Sequence, residues 1–289
     1  MSYFTIAGVQ LQALHHGDNT DAMRHRIDVL MARFPQVQMV LFSELVANGA
    51  STHHAQPMPS ALEAMFCQIA AQYRIWLIPG SMFERVEDKI YNTASVIDPS
   101  GQVVARFRKM FPFRPYEEGV EGGNEFVVFD VPNIGRFGVS ICYDMWFPET
   151  TRTLASMGAE VILHPTMTDT IDRDIELSIA RTNAAINQCY FFDINGAGAM
   201  GNGCSIVVGP SGDVIHQAGI GDEIMPIEID LQRVRRERET GLRGLGQPLK
   251  SFRDRQVEFP LYHSETGSSP FLDTLGPLAK PARQDIEAH

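Results

Sequence analysis

The segment RFGVSICYDMWFPE, residues 136–149, contains the unit from which the fold is built, a buried strand that runs into a helix. Its apolar residues predict a strand over Phe137–Cys142, and the proline that follows predicts a helix over Pro148–Met157. Cys142 ends the strand. Cysteine is among the most commonly buried residue types, and most buried thiols are inert. Taken alone, the segment therefore favours a structural role for Cys142.

The composition of the 289-residue chain is that of an ordinary globular protein, with 44% hydrophobic and 20% charged residues. A formal net charge of −11 argues against a nucleic-acid-binding face. No segment approaches the length of a membrane span, and the N-terminus lacks the pattern of a secretory signal. The four cysteines are scattered and form no CxxC pair, so a reduced, cytoplasmic protein is expected.

Short apolar segments alternate with amphipathic ones along the chain, which predicts a mixed sheet covered by helices. The predicted strands are Tyr3–Gln10, Met39–Leu45, Ile75–Phe83, Thr93–Ile97, Val103–Phe107, Glu125–Val131, Phe137–Cys142, Glu160–His164, Cys189–Ile194, Ser205–Val208 and Val214–Gln217. The predicted helices are Asp21–Phe34, Ser60–Arg74, Pro148–Met157 and Ile171–Gln188. Ser60 and Glu63 form the pattern of a capping box at the start of the second helix.

Two hairpins share a Pro-Ser-Gly turn, DPSG at 98–101 and GPSG at 209–212. The helix and strand order around these turns also recurs, which indicates two similar halves. We therefore predict an α/β fold in which two such halves pack as a four-layer α-β-β-α sandwich. Residues 1–260 are assigned to this domain, and residues 261–289 to an extended tail expected at a subunit interface.

Two other motifs carry less weight. GAGAMG, Gly196–Gly201, matches G-x-G-x-x-G but is followed by a predicted strand rather than the helix that a dinucleotide site needs, so it is interpreted as a loop. The histidine pairs at 15–16 and 53–54 lack partners at ligand spacing and are interpreted as loop residues. We predict no metal and no cofactor.

Polar residues end two further strands. Glu44 follows the apolar segment QMVLF and precedes Leu45 and Val46, and Lys109 lies among aromatic residues in VVARFRKMFPF. Each alone has an ordinary explanation as a loop charge or a surface lysine. With Cys142, they place a carboxylate, an ammonium and a thiol at strand ends, where α/β sheets gather their sites. A nearby cation and a helix N-terminus are expected to lower the pKa of the thiol.

In order and in local sequence, these segments resemble the nitrilase superfamily, the carbon–nitrogen hydrolases. The resemblance lies in VLFSEL, RFRKMF and GVSICYDMWFPE, and extends to RTNAAINQCYFF and GCSIVVGPSGDVI. It implies the α-β-β-α fold, a homodimer or higher homo-oligomer, and no cofactor. It also implies Glu44 as general base, Cys142 as nucleophile, and Lys109 as oxyanion stabiliser beside the Tyr143 N–H.

Many members use a second glutamate, and PYEEGVEGG offers both Glu117 and Glu118. The residue pattern that follows favours Glu118 as catalytic, with Glu117 assigned to substrate binding. Tyr116, Tyr143, Trp146 and Thr166 are also predicted to contact substrate, although packing is an equal explanation for the aromatic residues.

The residues after the cysteine separate branches of the superfamily. Cys-Tyr-Asp is similar to amidases, whereas nitrilases typically carry Cys-Trp-Glu. Serine replaces the usual proline before Glu44, which leaves the subfamily open. The predicted activity is hydrolysis of a small linear amide through a cysteine thioester, with release of ammonia. The alternatives are an N-carbamoyl amine or amino acid amidohydrolase, a nitrilase, or a non-catalytic member of the fold.

Overall fold

A computed structural model describes residues 3–255, 257–262 and 269–280. The strands are β1 (Tyr3–Gln10), β2 (Gln12–Ala13), β3 (Met39–Phe42), β4 (Trp76–Ile78), β5 (Met82–Val86), β6 (Lys89–Ile97), β7 (Val103–Arg108), β8 (Val120–Glu121), β9 (Val127–Val131), β10 (Gly135–Val139), β11 (Val161–Thr166), β12 (Tyr190–Asn195), β13 (Ala197–Gly198), β14 (Ile206–Val208), β15 (Val214–Gln217) and β16 (Glu223–Asp230). The helices are α1 (Thr20–Arg33), α2 (Ala61–Tyr73), α3 (Pro148–Ser156), α4 (Arg173–Asn187), α5 (Leu231–Thr240) and α6 (Pro248–Asp254).

Two large sheets form the centre of the molecule. The first is eight-stranded, in the order β16-β1-β3-β4-β6-β5, with β7 and β8 also paired to β6. The second is six-stranded, in the order β15-β14-β12-β11-β10-β9. In each sheet three consecutive strands run parallel, β1, β3 and β4 in the first and β10, β11 and β12 in the second. An antiparallel hairpin follows in each.

Alternation along the strands divides the apolar residues among three cores. One face of each sheet packs against the other sheet, as shown by Ile6 and Leu41 in one cluster with Val139 and Leu163. The opposite face of the first sheet packs against α1 and α2. The opposite face of the second sheet packs against α3 and α4. This arrangement confirms the predicted four-layer α-β-β-α sandwich.

The two Pro-Ser-Gly turns occupy equivalent places in the two halves. The first connects β6 to β7, and the second connects β14 to β15, each pair antiparallel. In the first turn Asp98 accepts hydrogen bonds from the backbone N–H of Ser100 and of Gln102. The similarity of the two halves is thus confirmed.

Several element boundaries differ from those predicted. The strand predicted over Ile75–Phe83 is interrupted after Ile78, and its end belongs to the separate strand β5. Strand β16 and helix α5 were not predicted; β16 pairs antiparallel with the edge of the first sheet at β1. Ser60 caps α2 by accepting from the Glu63 N–H, but the Glu63 carboxylate turns instead to Ser95 and Arg106.

The structure also tests the interpretation of GAGAMG, the state of the cysteines and the expected absence of a membrane span. The chain after Gly201 continues as a loop into β14, so no helix begins at GAGAMG. The motif predicted as a loop contains the short strand β13, which pairs with β2. All four cysteines are free thiols. Within the described residues, no helix is long and apolar enough to cross a bilayer. Much of the predicted tail, 263–268 and 281–289, lies outside the described residues.

Candidate active site

Glu44 lies two residues beyond the carboxyl end of β3, in a turn held by the loop after β4. The next residue, Leu45, has a positive φ of 53°, and its N–H donates to Ser81 Oγ at 3.1 Å. Gly80 packs so closely that a Cβ there would lie 1.9 Å from the Ser43 carbonyl oxygen. The Glu44 N–H donates to the Thr166 carbonyl at 3.2 Å, which ties the first sheet to the second at the site.

Lys109 directly follows β7, and its side chain is 1% exposed. Its Nζ donates to Glu44 Oε1 at 2.9 Å and to both Glu117 oxygens, at 3.1 and 2.9 Å. Its backbone N–H donates to the Asn92 carbonyl, while Asn92 Nδ2 donates to Glu44 Oε1 at 2.7 Å. One buried ammonium therefore bridges two carboxylates, and Asn92 on β6 orients the Glu44 carboxylate.

The preference for Glu118 over Glu117 as the inward-facing glutamate is wrong. The Glu117 carboxylate contacts Lys109 and also accepts from the Phe113 N–H, whereas Glu118 is exposed at the rim of the cavity. A tight turn that starts at Phe113 turns the Glu117 side chain inward, since the Glu117 N–H donates back to the Phe113 carbonyl. Adjacent side chains in such a turn point in different directions, so only one of them reaches the lysine.

Cys142 lies three residues beyond β10 and starts the 3-10 helix Cys142–Trp146. Its φ of 48° is in the left-handed region, which is unfavourable for a residue with a Cβ and is characteristic of functional sites. The residue is 8% exposed. The structure thus turns the thiol out of the strand direction and towards the cavity.

Asp144 connects this strained turn to the residues that follow Lys109. Its Oδ2 accepts from the Ile141 N–H at 2.9 Å, and its Oδ1 accepts from the N–H groups of Met110 and Phe111 at 3.0 and 2.9 Å. Burial raises the pKa of the Asp144 carboxyl to about 7, against the opposing effect of these backbone donors. One fully buried side chain therefore connects the residues after Lys109 to the residue before Cys142.

The Cys142 thiol lies close enough to Glu44 and to Met167 to interact with both. The thiol lowers the pKa of the Glu44 carboxyl, and the Met167 backbone lowers the pKa of the thiol. Tyr143, the second residue of the 3-10 helix, occupies a position whose N–H has no carbonyl partner within the helix. The site thus brings a thiol, a carboxylate, a cation and a backbone donor together at one cavity.

Burial dominates the protonation of these groups. It raises the pKa of the Cys142 thiol well above its usual value; the charge of Glu44 adds to this effect, and that of Lys109 only partly opposes it. The expected lowering of the thiol pKa is therefore wrong, because burial and the charge of Glu44 outweigh the opposing effect of Lys109. Burial likewise raises the pKa of Glu44, while Lys109 lowers it. Burial lowers the pKa of Lys109, but neighbouring anions outweigh this and hold it well above normal.

These groups open onto a cavity of about 840 Å³. Its lining includes most of the predicted site residues: Glu44, Lys109, Tyr116, Glu117, Glu118, Cys142, Tyr143 and Trp146. Thr166 is fully buried and is not among the lining residues, so its predicted substrate contact is wrong. The strand ends at Thr166, and the two residues after it, Met167 and Thr168, face the cavity instead.

Three further polar residues of the site were not predicted. Asn92 supports Glu44 from within a buried stretch of β6, where a polar residue in the segment YNTAS was a usable signal. Asp144 is part of the Cys-Tyr-Asp pattern that is similar to amidases, but its hydrogen bonds to the two loops were not predicted. Glu176 lines the cavity from the first turn of α4, and its Oε1 accepts from Thr168 Oγ1 at 3.0 Å. Nothing in the sequence separates it from an ordinary acidic residue near a helix start.

The site places a cysteine with strained backbone near a pair of carboxylates bridged by a lysine. Comparisons with known proteins identify the family. Residues 6–239 match the model of the carbon–nitrogen hydrolase family. An ω-amidase of Xenopus laevis is 32% identical over 203 residues, covering 64% of this chain and 72% of the relative. An N-carbamoylputrescine amidase of Solanum lycopersicum is 30% identical over 211 residues, covering 64% and 70%.

Among solved structures, Saccharomyces cerevisiae Nit3, described as a member of branch 10 of the nitrilase superfamily, is 28% identical with a TM-score of 0.75. The match covers 82% of this chain and 94% of that one. The chain therefore belongs to the carbon–nitrogen hydrolase family, and the predicted relationship to the amidase-like branch of the nitrilase superfamily is confirmed. The family and its relatives support an enzyme that hydrolyses an amide C–N bond.

Proposed function

We propose that the protein is a cysteine amidase that hydrolyses a small linear amide through a thioester on Cys142 and releases ammonia. The observation that carries this proposal is the position of the buried Glu44 carboxylate, which accepts a hydrogen bond from the Lys109 ammonium and lines the same cavity as the Cys142 thiol. Residues at the ends of three separate strands meet in one cavity. A merely structural cysteine would need neither the cation nor the strained backbone.

The raised pKa of Cys142 determines how the nucleophile forms. A thiol with such a pKa is protonated at neutral pH, so the proton must leave as the substrate is attacked. Glu44 accepts it, because burial has also raised the pKa of Glu44. Sulfur then bonds to the amide carbonyl carbon, and the carbonyl π electrons move to oxygen.

The resulting oxyanion needs donors, and two are at hand. Lys109 Nζ and the Tyr143 N–H are proposed to donate to it, as preorganised donors do in acyl transfer. The adduct collapses with cleavage of the C–N bond, and the proton held by Glu44 leaves with the departing ammonia. Glu44 then takes a proton from water, hydroxide attacks the thioester carbonyl, and the acid departs as the sulfur regains the proton.

Glu117 is proposed to position Lys109 rather than to react. Its carboxylate shares the ammonium with Glu44, so Nζ is held between two fixed oxygens. Tyr143 and Trp146, on the helix that Cys142 starts, are proposed to contact the acyl chain.

The test is ammonia release by the purified full chain from a panel of aliphatic amides, N-carbamoyl amines and nitriles. Wild type is compared with Cys142→Ala and with the matched control Cys67→Ala, which alters a half-buried cysteine on α2. Intact-protein mass spectrometry after rapid quenching should detect the acyl group on Cys142. The proposal fails if the panel yields no ammonia, or if Cys142→Ala is as active as wild type.

Assembly into a homo-oligomer, with residues 261–289 at an interface, remains a prediction. The described part of this tail exposes apolar side chains, among them Phe271 at 70% and Leu278 at 74%, which an assembled state would cover. Light scattering of the full chain and of a chain ending at residue 260 would test it. If the two chains form particles with the same number of subunits, a role of the tail in assembly is refuted.

A further inference from the structure

The cavity has an unusual balance of charge. Six carboxylate side chains line it, whereas Lys109 is the single lysine or arginine among the described lining residues. Asp169, Asp172 and Glu176, which we call the acidic wall, come from the segment after β11 and the start of α4. The wall comes from a chain segment separate from those that supply Glu44, Lys109 and Cys142. Because the acidic wall and Cys142 line the same cavity, a substrate attached at Cys142 can extend towards the wall.

Lys109 and Arg173, the cations described beside the reacting groups and the acidic wall, are each already paired with carboxylates. The Lys109 ammonium is already held by two carboxylates. Arg173, behind the acidic wall, contacts Glu176 at 3.1 Å and Asp193 at 2.8 Å, so one guanidinium faces two carboxylates. Burial and Asp193 also raise the pKa of Glu176, so a cation placed beside Glu176 would stabilise its ionised form.

Aromatic rings occupy the remaining wall. Tyr116, Phe113, Tyr143 and Trp146 form a continuous series in which neighbouring ring centroids lie 5.0, 5.0 and 6.1 Å apart. Trp146 Nε1 approaches Glu176 Oε1 at 3.5 Å, so the series reaches the acidic wall. Aromatic faces next to carboxylates attract ammonium and guanidinium groups.

The chain itself supplies an independent observation of this preference. Lys280, in the described part of the tail, places its Nζ over the Tyr116 ring, 5.4 Å from the centroid. Tyr116 lines the same cavity. An ammonium of the protein thus already lies against this aromatic series at the rim.

We propose that the substrate is an amide with a positively charged amine or guanidinium group at the end remote from the scissile bond, received by the acidic wall and the aromatic series. The inference rests on the proposed amidase function for the position of the reacting end. The charge of the remote group, rather than its size, is the property that the cavity selects. Neutral amides of equal length fill the same space without the ionic contacts, and amides with a remote carboxylate meet the like charge of the acidic wall.

The experiment compares three amides of matched length, 5-aminopentanamide, hexanamide and the monoamide of adipic acid. Binding to full-length Cys142→Ala is measured by calorimetry, and kcat/KM is measured with wild type, both at pH 8, where histidine side chains are ordinarily neutral. Ion pairing in a partly buried site predicts at least about tenfold tighter binding of 5-aminopentanamide than of hexanamide. The adipic monoamide is expected to bind most weakly.

Asp172→Asn isolates the contribution of the acidic wall, and Asp174→Asn is its matched control. Asp174 lies two residues further along α4, is exposed and does not line the cavity. Asp172→Asn should reduce the preference for the cationic amide severalfold and leave hexanamide within about twofold, whereas Asp174→Asn should alter neither. Glu176→Gln is a second variant of the acidic wall. Its amide oxygen can still accept the hydrogen bond from Thr168 Oγ1.

The results separate this inference from the proposed function. Equal binding of the three amides, or tightest binding of the adipic monoamide, would overturn the inference even if every amide were hydrolysed. Preferential binding of 5-aminopentanamide without hydrolysis by wild type would support the cation site and refute the amidase. Equal effects of Asp172→Asn and Asp174→Asn would refute the acidic wall as its origin.

Discussion

Replacing Glu117 with glutamine tests whether a second carboxylate at Lys109 contributes to the reaction. The matched control is Glu118→Gln, the same change at the adjacent residue, whose side chain is exposed. Glutamine keeps the size of the side chain and one acceptor oxygen, but it removes the charge that holds Nζ at 2.9 and 3.1 Å. The comparison therefore separates charge at the lysine from charge in the loop.

The size of the effect follows from the hydrogen bonds that are weakened. Hydrogen bonds to charged groups contribute about 1.5–3 kcal/mol, equivalent to about 10- to 150-fold in rate if they act in the transition state. Glu117 is 17% exposed and glutamine still accepts one bond, so the lower end applies. We expect kcat/KM to fall about tenfold in Glu117→Gln and less than about twofold in Glu118→Gln.

The pH dependence supplies a readout that a loss of structure would not produce. The charge of Glu117 raises the pKa of Glu44, so its removal lowers that pKa. Glu44 acts as a base only when ionised, and activity is lost as the pH falls through its pKa. The acid limb of kcat/KM should therefore move to lower pH in Glu117→Gln and stay in place in Glu118→Gln. An unmoved limb, or equal losses in both variants, would refute this account.

Three other results are expected. Asp144→Asn places an amide NH₂ among buried N–H donors and should lower the free energy of unfolding by about 1–3 kcal/mol, which lowers Tm by several degrees in a thermal melt. The control Asp130→Asn, at an exposed ion pair, should shift Tm by about 1 °C or less. Burial lowers the pKa of His164 to about 3, so its full contribution to stability is present above its usual pKa of 6.5 and is lost as the pH falls towards 3. In urea titrations, the free energy of unfolding should therefore fall less between pH 7 and pH 5 in His164→Asn than in wild type. An equal fall would contradict the assignment. Because no helix follows Gly196–Gly201, NAD should leave Tm unchanged, and a saturable rise would reinstate a dinucleotide site.

Much of the fold could be predicted because its determinants are local. The period-2 and period-3.6 patterns of apolar residues specify which segments form strands and helices, and the Pro-Ser-Gly turns mark the two hairpins. The order of strands and helices then implies two equivalent halves. Strand β16 was missed because its burial is irregular, so the alternating pattern that identifies a strand is weak there.

The sequence by itself determined the family, the sandwich, and the positions of Glu44, Lys109 and Cys142 at strand ends, since these follow from local pattern and motif order. Only the tertiary structure decided that Glu117 rather than Glu118 meets Lys109, because a turn directs the side chain. It also decided that the thiol pKa is raised, because burial and the charge of Glu44 depend on groups distant in sequence. The charge and the burial of a group in a cavity depend on every residue that lines it, and only folding brings those residues together.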